Sequence, residues 1–559
     1  MSFKKIKSMR SDYQAVLLLI LAFSLIATVV YPFFVLILKS FGIANYQLAD
    51  FNVTAYRAVL KDGQLLAPIA NTLKIAIGIT ALTLAFGTAL AWLVTRSDFK
   101  YKRAVKGVVF LTFTIPSYIF GISWLQCFGR NGYLNRIYQA FGWDYRFKAY
   151  SLLAVIIVMS IHLYPLVFIA LVNAFKSVDN SLEDAAILSG AKRIKVFFTI
   201  TLPLVLPTIW SVGLFVFSRS MANFGVPALL LMPIYQETMT TAIYRSLNNL
   251  DFSGAAAISM VLVVVSSAVF VLQQLFLRNK KFTTISTNSG TPKYVKLGKK
   301  STFISAMVFA MLFLTTLLPI AILVVTSFMK RWGLKLQVGN FTLNNYKILF
   351  TSELARTALA NSVIFGAIAA LIAIFISLIV SYTKNFRPYK AATPLAFAAS
   401  FPMVMPNIVM AIAAILAWNK GIINFYGTPI IIVLTYTALF LPIVIKQIAG
   451  LAHNYDHSLE QAARVCGAST VRAAKDVLLP FISPAIKSSF ILCLLIALRE
   501  IPIALMLHAA GTETVGVLLF NMRSNSAGLE ATSTVATVVI ALSLIGRLIL
   551  RRIMRVKNS

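Results

Sequence analysis

Acidic residues are scarce in this chain: 17 Asp and Glu stand against 51 Lys and Arg, for a net charge of +34. A membrane protein driven by an ion gradient needs ionisable or coordinating groups within the bilayer to hold the driving ion. With its few acids nearly all between apolar runs, the chain has little to offer such an ion, which argues against an ion-coupled secondary transporter. Cysteine is also rare; Cys127, Cys466 and Cys493 lie in or beside apolar runs or in loops, so no disulfide framework is expected and all three read as packing residues. No cluster of His, Cys, Asp or Glu suggests a metal cage, and no convergent catalytic set is present. His162 reads as a packed intramembrane residue, and His453 and His457 as surface residues. A phosphate loop is missing too. The stretch Leu297-Gly298-Lys299-Lys300-Ser301-Thr302 lacks the upstream Gly and has Lys where Ser or Thr should follow, so energy must come from another chain. The basic excess does not mark a nucleic-acid binder, because the charges sit between apolar runs rather than on one solvated patch.

What the chain has in abundance is apolar length. Of its 559 residues, 59% are hydrophobic and the mean hydropathy is +0.83, beyond the roughly 45–50% apolar content of soluble domains. Crossing the hydrocarbon core takes about 20 apolar residues in a helix that satisfies its own backbone. Twelve runs meet that need, near 15–38, 75–95, 107–128, 150–175, 204–224, 253–277, 302–328, 359–383, 391–418, 429–450, 483–505 and 531–550. The expected fold is all-α and polytopic, with about 12 transmembrane helices in two parallel six-helix repeats. The first run follows Lys4, Lys5, Lys7 and Arg10 and is longer than a secretory h-region, so it reads as an uncleaved signal-anchor. Pro116, Pro165, Pro406 and Pro442 are expected to kink or interrupt helices rather than end them.

Basic residues gather at the N-terminus, between Arg96 and Lys106, and in the tail from Arg547 to Lys557, which places both termini in the cytosol. Residues 278–300 carry seven Lys/Arg and no acid, and read as a flexible cytosolic linker between a first repeat, 1–277, and a second, 301–559. One basic loop falls outside by this count, with Arg130, Arg136, Arg146 and Lys148. It is either a tolerated exception or a docking surface for acidic side chains of a partner protein.

The chain also repeats itself. At an offset of 277, Ser181-Leu182-Glu183 meets Ser458-Leu459-Glu460, Ala185-Ala186 meets Ala462-Ala463, Gly190-Ala191 meets Gly467-Ala468, and Leu202-Pro203 meets Leu479-Pro480. Pro165 and Asp179 pair with Pro442 and Asp456 at the same offset. Upstream the offset is 290, pairing Asn71 with Asn361 and Pro116 with Pro406, so the first half holds about 13 extra residues between Pro116 and Pro165. Ala-Ala after an acidic cap region makes a short helix with a bare face, and the following Gly allows a turn with positive φ or a tight backbone contact. The Leu-Pro pair suits the first turn of the next spanning helix.

This duplicated segment resembles the coupling motif of binding-protein-dependent ABC importer permeases: Glu-Ala-Ala, three residues, Gly, nine residues, Ile, one residue, Leu-Pro. The chain has Asp184-Ala185-Ala186, Gly190, Ile200 and Leu202-Pro203, then Gln461-Ala462-Ala463, Gly467, Val477 and Leu479-Pro480. Asp and Gln replace the usual Glu, and Val replaces Ile in the second copy. The resemblance implies a MetI-like permease of the bacterial cytoplasmic membrane, without catalytic residues, resident metal or cofactor of its own. Two copies of an ATPase, holding ATP and Mg, would grip Asp184, Ala185, Ala186, Gly190 and Pro203 in one half and Gln461, Ala462, Ala463, Gly467 and Pro480 in the other. An extracytoplasmic solute-binding protein would deliver the cargo.

Two further stretches, Asn223-Phe224-Gly225-Val226-Pro227-Ala228-Leu229 and Leu498-Arg499-Glu500-Ile501-Pro502 followed by Glu513-Thr514, resemble the fused permeases of the ferric-iron type. Ferric iron is the cargo this implies, with thiamine, phosphonate, polyamine or sugar phosphate as alternatives. Arg499 and Glu500 fall toward the outer end of the eleventh run and Asn223 at the comparable place in the fifth. They line the translocation path or outer gate, or else Arg499 and Glu500 form a mutually satisfied pair at the interface.

Overall fold

The computed structural model describes residues 16–43, 51–61, 65–143, 147–278, 294–333, 337–386, 390, 392–419, 423–452, 455–524 and 528–555. Among them the chain is helical, with ten helices long and apolar enough to cross a membrane, or twelve when each of two bent pairs counts as one span. The first half runs α1 (Val16–Ser40), α2 (Leu66–Arg96), α3 (Lys102–Thr114), α4 (Ser117–Phe128), α5 (Tyr133–Ala140), α6 (Leu152–Ser177), α7 (Asn180–Leu188), α8 (Arg193–Met221), α9 (Gly225–Leu230), α10 (Met239–Asn248) and α11 (Phe252–Arg278). The second runs α12 (Lys300–Ser327), α13 (Glu353–Lys384), α14 (Ala392–Met403), α15 (Asn407–Trp418), α16 (Pro429–Ala452), α17 (His457–Val465), α18 (Ala474–Ala497), α19 (Pro502–Leu507), α20 (Val515–Ser524) and α21 (Leu529–Arg555).

Prolines act in two ways. Pro165 and Pro442 lie inside α6 and α16, which continue through them. Pro116 and Pro406, in contrast, end a helix. Each caps the following helix with extended backbone, at φ −59 ψ 142 and φ −58 ψ 143, and the chain turns by 102° from α3 to α4–α5 and by 115° from α14 to α15. Ile115 before the first proline is extended, as steric contact with the ring requires. The third and ninth runs are therefore elbows rather than straight spans. The fifth and eleventh runs are corrected as well. α8 and α18 begin before the expected boundaries and stop at Met221 and Ala497, leaving Asn223, Arg499 and Glu500 in breaks before the short helices α9 and α19.

The halves interlock through their first helices. α1 packs on the elbow helix α15 of the other half as well as on α11, and α12 packs on elbow helix α4 and on α21. Tyr31 Oη donates to the Ala417 carbonyl at 3.3 Å, and the hydroxyls of Thr112 and Thr316 meet at 3.0 Å. The cores of the two halves are built alike, with α2 against α6 and α13 against α16. The insertion in the first half is confined to one place. Elbow helices α4 and α15 end 290 positions apart, at Phe128 and Trp418, and the next spans begin 277 apart, at Leu152 and Pro429; helix α5 lies in the longer connection.

A matched pair of polar clamps ties the segment after each short helix to the second span of its half. Asn71 Nδ2 donates to the Glu237 carbonyl at 2.9 Å and Thr72 Oγ1 accepts from the Met239 amide at 2.9 Å. Asn361 Nδ2 donates to the carbonyls of Gly511 and Glu513, each at 3.0 Å, while Ser362 Oγ accepts from the Val515 amide at 2.9 Å. Removing a partner from such a carbonyl costs about 1 kcal/mol or more. Asn71→Ala and Asn361→Ala should both lower the thermal midpoint of the detergent-solubilised protein, Asn361→Ala further because it serves two carbonyls; equal, unshifted melts would show that the clamps carry no stability.

Candidate functional site

The duplicated motif folds the same way twice. Asp179 and Asp456 begin α7 and α17 by accepting from the amides of Ser181 and Ser458 at 2.9 and 2.8 Å, an N-cap that satisfies an otherwise orphaned donor. The bond from the Ser181 amide holds the Asp179 carboxyl below its ordinary value. At the other end Gly190 and Gly467 adopt φ +86 and +88. The amides of Ala191 and Ala468 bond back to the carbonyls of Ala186 and Ala463 at 3.0 Å, and those of Gly190 and Gly467 to Ile187 and Arg464 at 3.0 Å. This is a Schellman closure, whose left-handed residue favours glycine. No atom lies within 4 Å of a Cβ built on either glycine, so backbone conformation rather than crowding within the chain explains both.

The finished helices expose small and apolar side chains together with Ser181 in the first and Ser458, Gln461 and Arg464 in the second. Ala185, Gln461 and Ala462 are exposed, and Asp184, Ala186 and Ala463 half-buried. At the last turn Leu188 and Val465, 277 positions apart, are each 88% exposed. Cys466 is exposed beside Val465, which corrects its reading as a packing residue; Cys127 and Cys493 are buried. His453 lies outside the described residues. Pro203 and Pro480 fall, as expected, in the first turn of regular α-helix in the next spans, Leu202–Met221 and Leu479–Ala497. Ahead of that turn each span carries a single π-helical turn, Phe197–Thr201 and Ala474–Leu478. A proline lacks the amide an α-helix needs, and a shift of hydrogen-bond register just ahead of it fits that lack.

The bases of the two helices differ. Glu183 accepts from Thr201 Oγ1 at 2.6 Å and lies 3.6 Å from Arg96 Nη1; Arg96, buried, also donates to the Asn180 side chain and to the carbonyls of Phe175 and Val178. In the second half the Tyr455 ring meets Phe386 edge-on and Phe481 at a tilt, with centroids 5.2 Å away in both cases, and Glu460 is 2% exposed. The anchoring acid is thus Glu183, one residue before the motif's Asp184. Its identity with Glu460 across the repeat was the available signal.

At the elbows the two halves line an open cavity of about 400 Å³, and its wall follows the internal repeat. Asn223 Oδ1 accepts from the Val226 amide at 3.1 Å, and its Nδ2 reaches Ser117 Oγ at 3.3 Å. Glu500, at the matching position, accepts from the amides of Ile503 and Ala504 and from Asn407 Nδ2, at 3.1, 3.1 and 3.2 Å. Arg499 does not pair with it; its guanidinium donates to the carbonyls of Leu495 and Thr114 at 2.8 and 3.2 Å. All three sequence-selected residues therefore line one cavity, joined by Arg219, which sequence reasoning passed over, and by His162, which it took for a packed residue. At the opposite end from α7 and α17, Arg130 and Lys148 are exposed, but Arg136 is not free: it donates to the Gly333 carbonyl at 2.7 Å and lies against Trp332, bracing the second half. Arg146 lies outside the described residues.

Comparison with known proteins agrees with this geometry. The family described as "Binding-protein-dependent transport system inner membrane component" matches residues 81–281 and 373–556, more than half of the chain. Over 537 residues the chain is 26% identical to the ferric transport system permease protein FbpB of Actinobacillus pleuropneumoniae, covering 93% of this chain and 75% of that protein. It is also 26% identical over 525 residues to the putative ferric transport system permease protein FbpB 1 of Haemophilus influenzae, covering 92% and 81%. The molybdenum transport system permease protein ModB of Escherichia coli K12 is 34% identical over 202 residues, covering 35% of this chain and 87% of its own. With its duplicated helical architecture and both copies of the motif, the chain belongs to the family of binding-protein-dependent transport inner membrane components, the permeases of ABC importers.

Proposed function

We propose that this chain forms the pore through which a bacterial importer passes ferric iron, delivered by an extracytoplasmic binding protein and driven by two copies of a separate ATPase that binds ATP and Mg. The observation that carries the mechanical part is the exposure of Leu188 and Val465 at the same register of two identically capped helices. Large apolar side chains left in water forgo roughly 1.5–3 kcal/mol each, a loss recovered if each helix seats in a groove of one ATPase. On this reading the end bearing α7 and α17 faces the cytosol, as do both termini, and residues 278–300 link the halves 1–277 and 301–559 on that face. Closure of the two ATPases then pushes the halves against each other as near-rigid bodies. The iron assignment rests on the two ferric relatives, which match nearly the whole chain, whereas the molybdenum relative matches 35% of it and supports an oxyanion as the second reading.

Leu188→Asp and Val465→Asp should each weaken co-purification of the ATPase and sharply reduce uptake, while near-normal retention of the ATPase by both would contradict the grip. Gly190→Val should uncouple ATP hydrolysis from uptake, because a β-branched residue resists the left-handed backbone; Gly190→Asn should be milder. If the opposite face receives the binding protein, Arg130→Glu combined with Lys148→Glu should lower that protein's affinity for reconstituted importer. An unchanged dissociation constant would remove these two residues from the docking surface.

A further inference from the structure

The central cavity is cationic, and its charge is not cancelled. Arg219, in the last turn of α8, lines it and is accessible; its guanidinium lies 5.5 Å from the Phe215 ring and has neither a hydrogen bond nor a carboxylate partner among the described residues. Arg499 enters from the other half, and only two of its five N–H donors are taken by the backbone carbonyls of Leu495 and Thr114. The elbow at Thr114 draws in a third arginine: Arg547 of α21 donates to Thr114 Oγ1 at 2.6 Å, while the Thr114 carbonyl accepts from Arg499. Elbow helices α4 and α15 also begin at this wall, with Ser117 and Asn407 lining it, and so turn their positive ends toward it. Against this stands one lining carboxylate, Glu500, whose oxygens already accept three N–H bonds. The lining His162 leaves its Nδ1 without a partner. An isolated arginine at membrane depth is expensive and usually faces a path or a ligand.

We propose that the solute occupying this cavity carries net negative charge, so that iron crosses as an anionic complex rather than as a bare trivalent cation. The inference deepens the ferric reading, and it also accommodates a free oxyanion. Both would share anionic oxygens offered to Arg219 and Arg499, since guanidinium forks suit such oxygens. A naked ferric ion would meet two arginines, two helix N-termini and a carboxylate already engaged.

The test uses the whole importer, this chain with its ATPase and binding protein, reconstituted in phosphatidylethanolamine–phosphatidylglycerol vesicles. Uptake is measured with radioactive iron supplied as ferric citrate and separately with radioactive molybdate. Arg219→Gln should lower uptake of the transported species by roughly tenfold or more, a differential of about 1.4 kcal/mol. Arg219→Glu should abolish it, and Arg219→Lys should retain most of it, with co-purification of the ATPase verifying assembly of each variant. In the unmodified importer, hexaamminecobalt(III), an inert trivalent cation, should not compete. Unimpaired uptake by an assembled Arg219→Gln or Arg219→Glu importer, or competition by the cobalt complex, overturns the proposal. The two readings separate cleanly: uptake of molybdate but not iron, lost on neutralising Arg219, refutes iron and keeps the anionic solute, whereas iron uptake indifferent to Arg219 keeps iron and refutes the anionic solute.

Discussion

A helix that breaks inside a bilayer exposes amides and carbonyls where no lipid can satisfy them, and this fold breaks its helices at four places around its centre. Satisfying those groups is the constraint on which the rest depends. Prolines open the two elbows by removing an amide that would otherwise need a partner. Asn223 and Glu500 close the other two breaks by accepting from the amides of the following short helices, and each reaches across to the elbow through Ser117 or Asn407. Cavity, elbow and short helix are thus one hydrogen-bonded construction, made twice. A rearrangement of the halves must carry these pieces as units or leave polar groups unsatisfied.

The distant ends of the molecule are joined to this centre by continuous helices. α8 and α18 begin shortly after α7 and α17 and run to the cavity, ending at Met221 and Ala497 just before the polar breaks. Movement of α7 or α17 therefore has a direct mechanical route to Arg219 and Arg499, through one helix in each half. The crossed packing of α1 on α15 and α12 on α4 means that neither elbow belongs to one half alone.

Much of this was legible in the sequence, for physical reasons that differ by element. Apolar length revealed the spans because lipid imposes it, and the offsets of 277 and 290 located both the repeat and its insertion. The glycines of the motif were readable because left-handed closure restricts residue choice. The elbows were legible only in part: an interruption was expected at Pro116 and Pro406, but they look locally like Pro165 and Pro442, and only packing decides which helices bend around a proline and which break. Arg219 escaped notice, and His162 read as a packed residue, because each occurs singly in an apolar run and has no counterpart in the other repeat. Arg136 could be read from sequence either as a tolerated exception to the charge rule or as a docking charge, and the second half supplies it a carbonyl and a ring from almost 200 positions away.

That missing correspondence has a consequence. The cavity wall pairs Arg219 with Ile496, His162 with Leu439 and Asn223 with Glu500, positions related by the internal repeat yet chemically unlike. A homodimeric channel must display every lining residue in duplicate, so any cation on its axis meets its own copy. Fusing two halves into one polypeptide lifts that obligation: each wall can diverge, and the chamber acquires a polarity perpendicular to the direction of travel. A solute inside it has a preferred side to face.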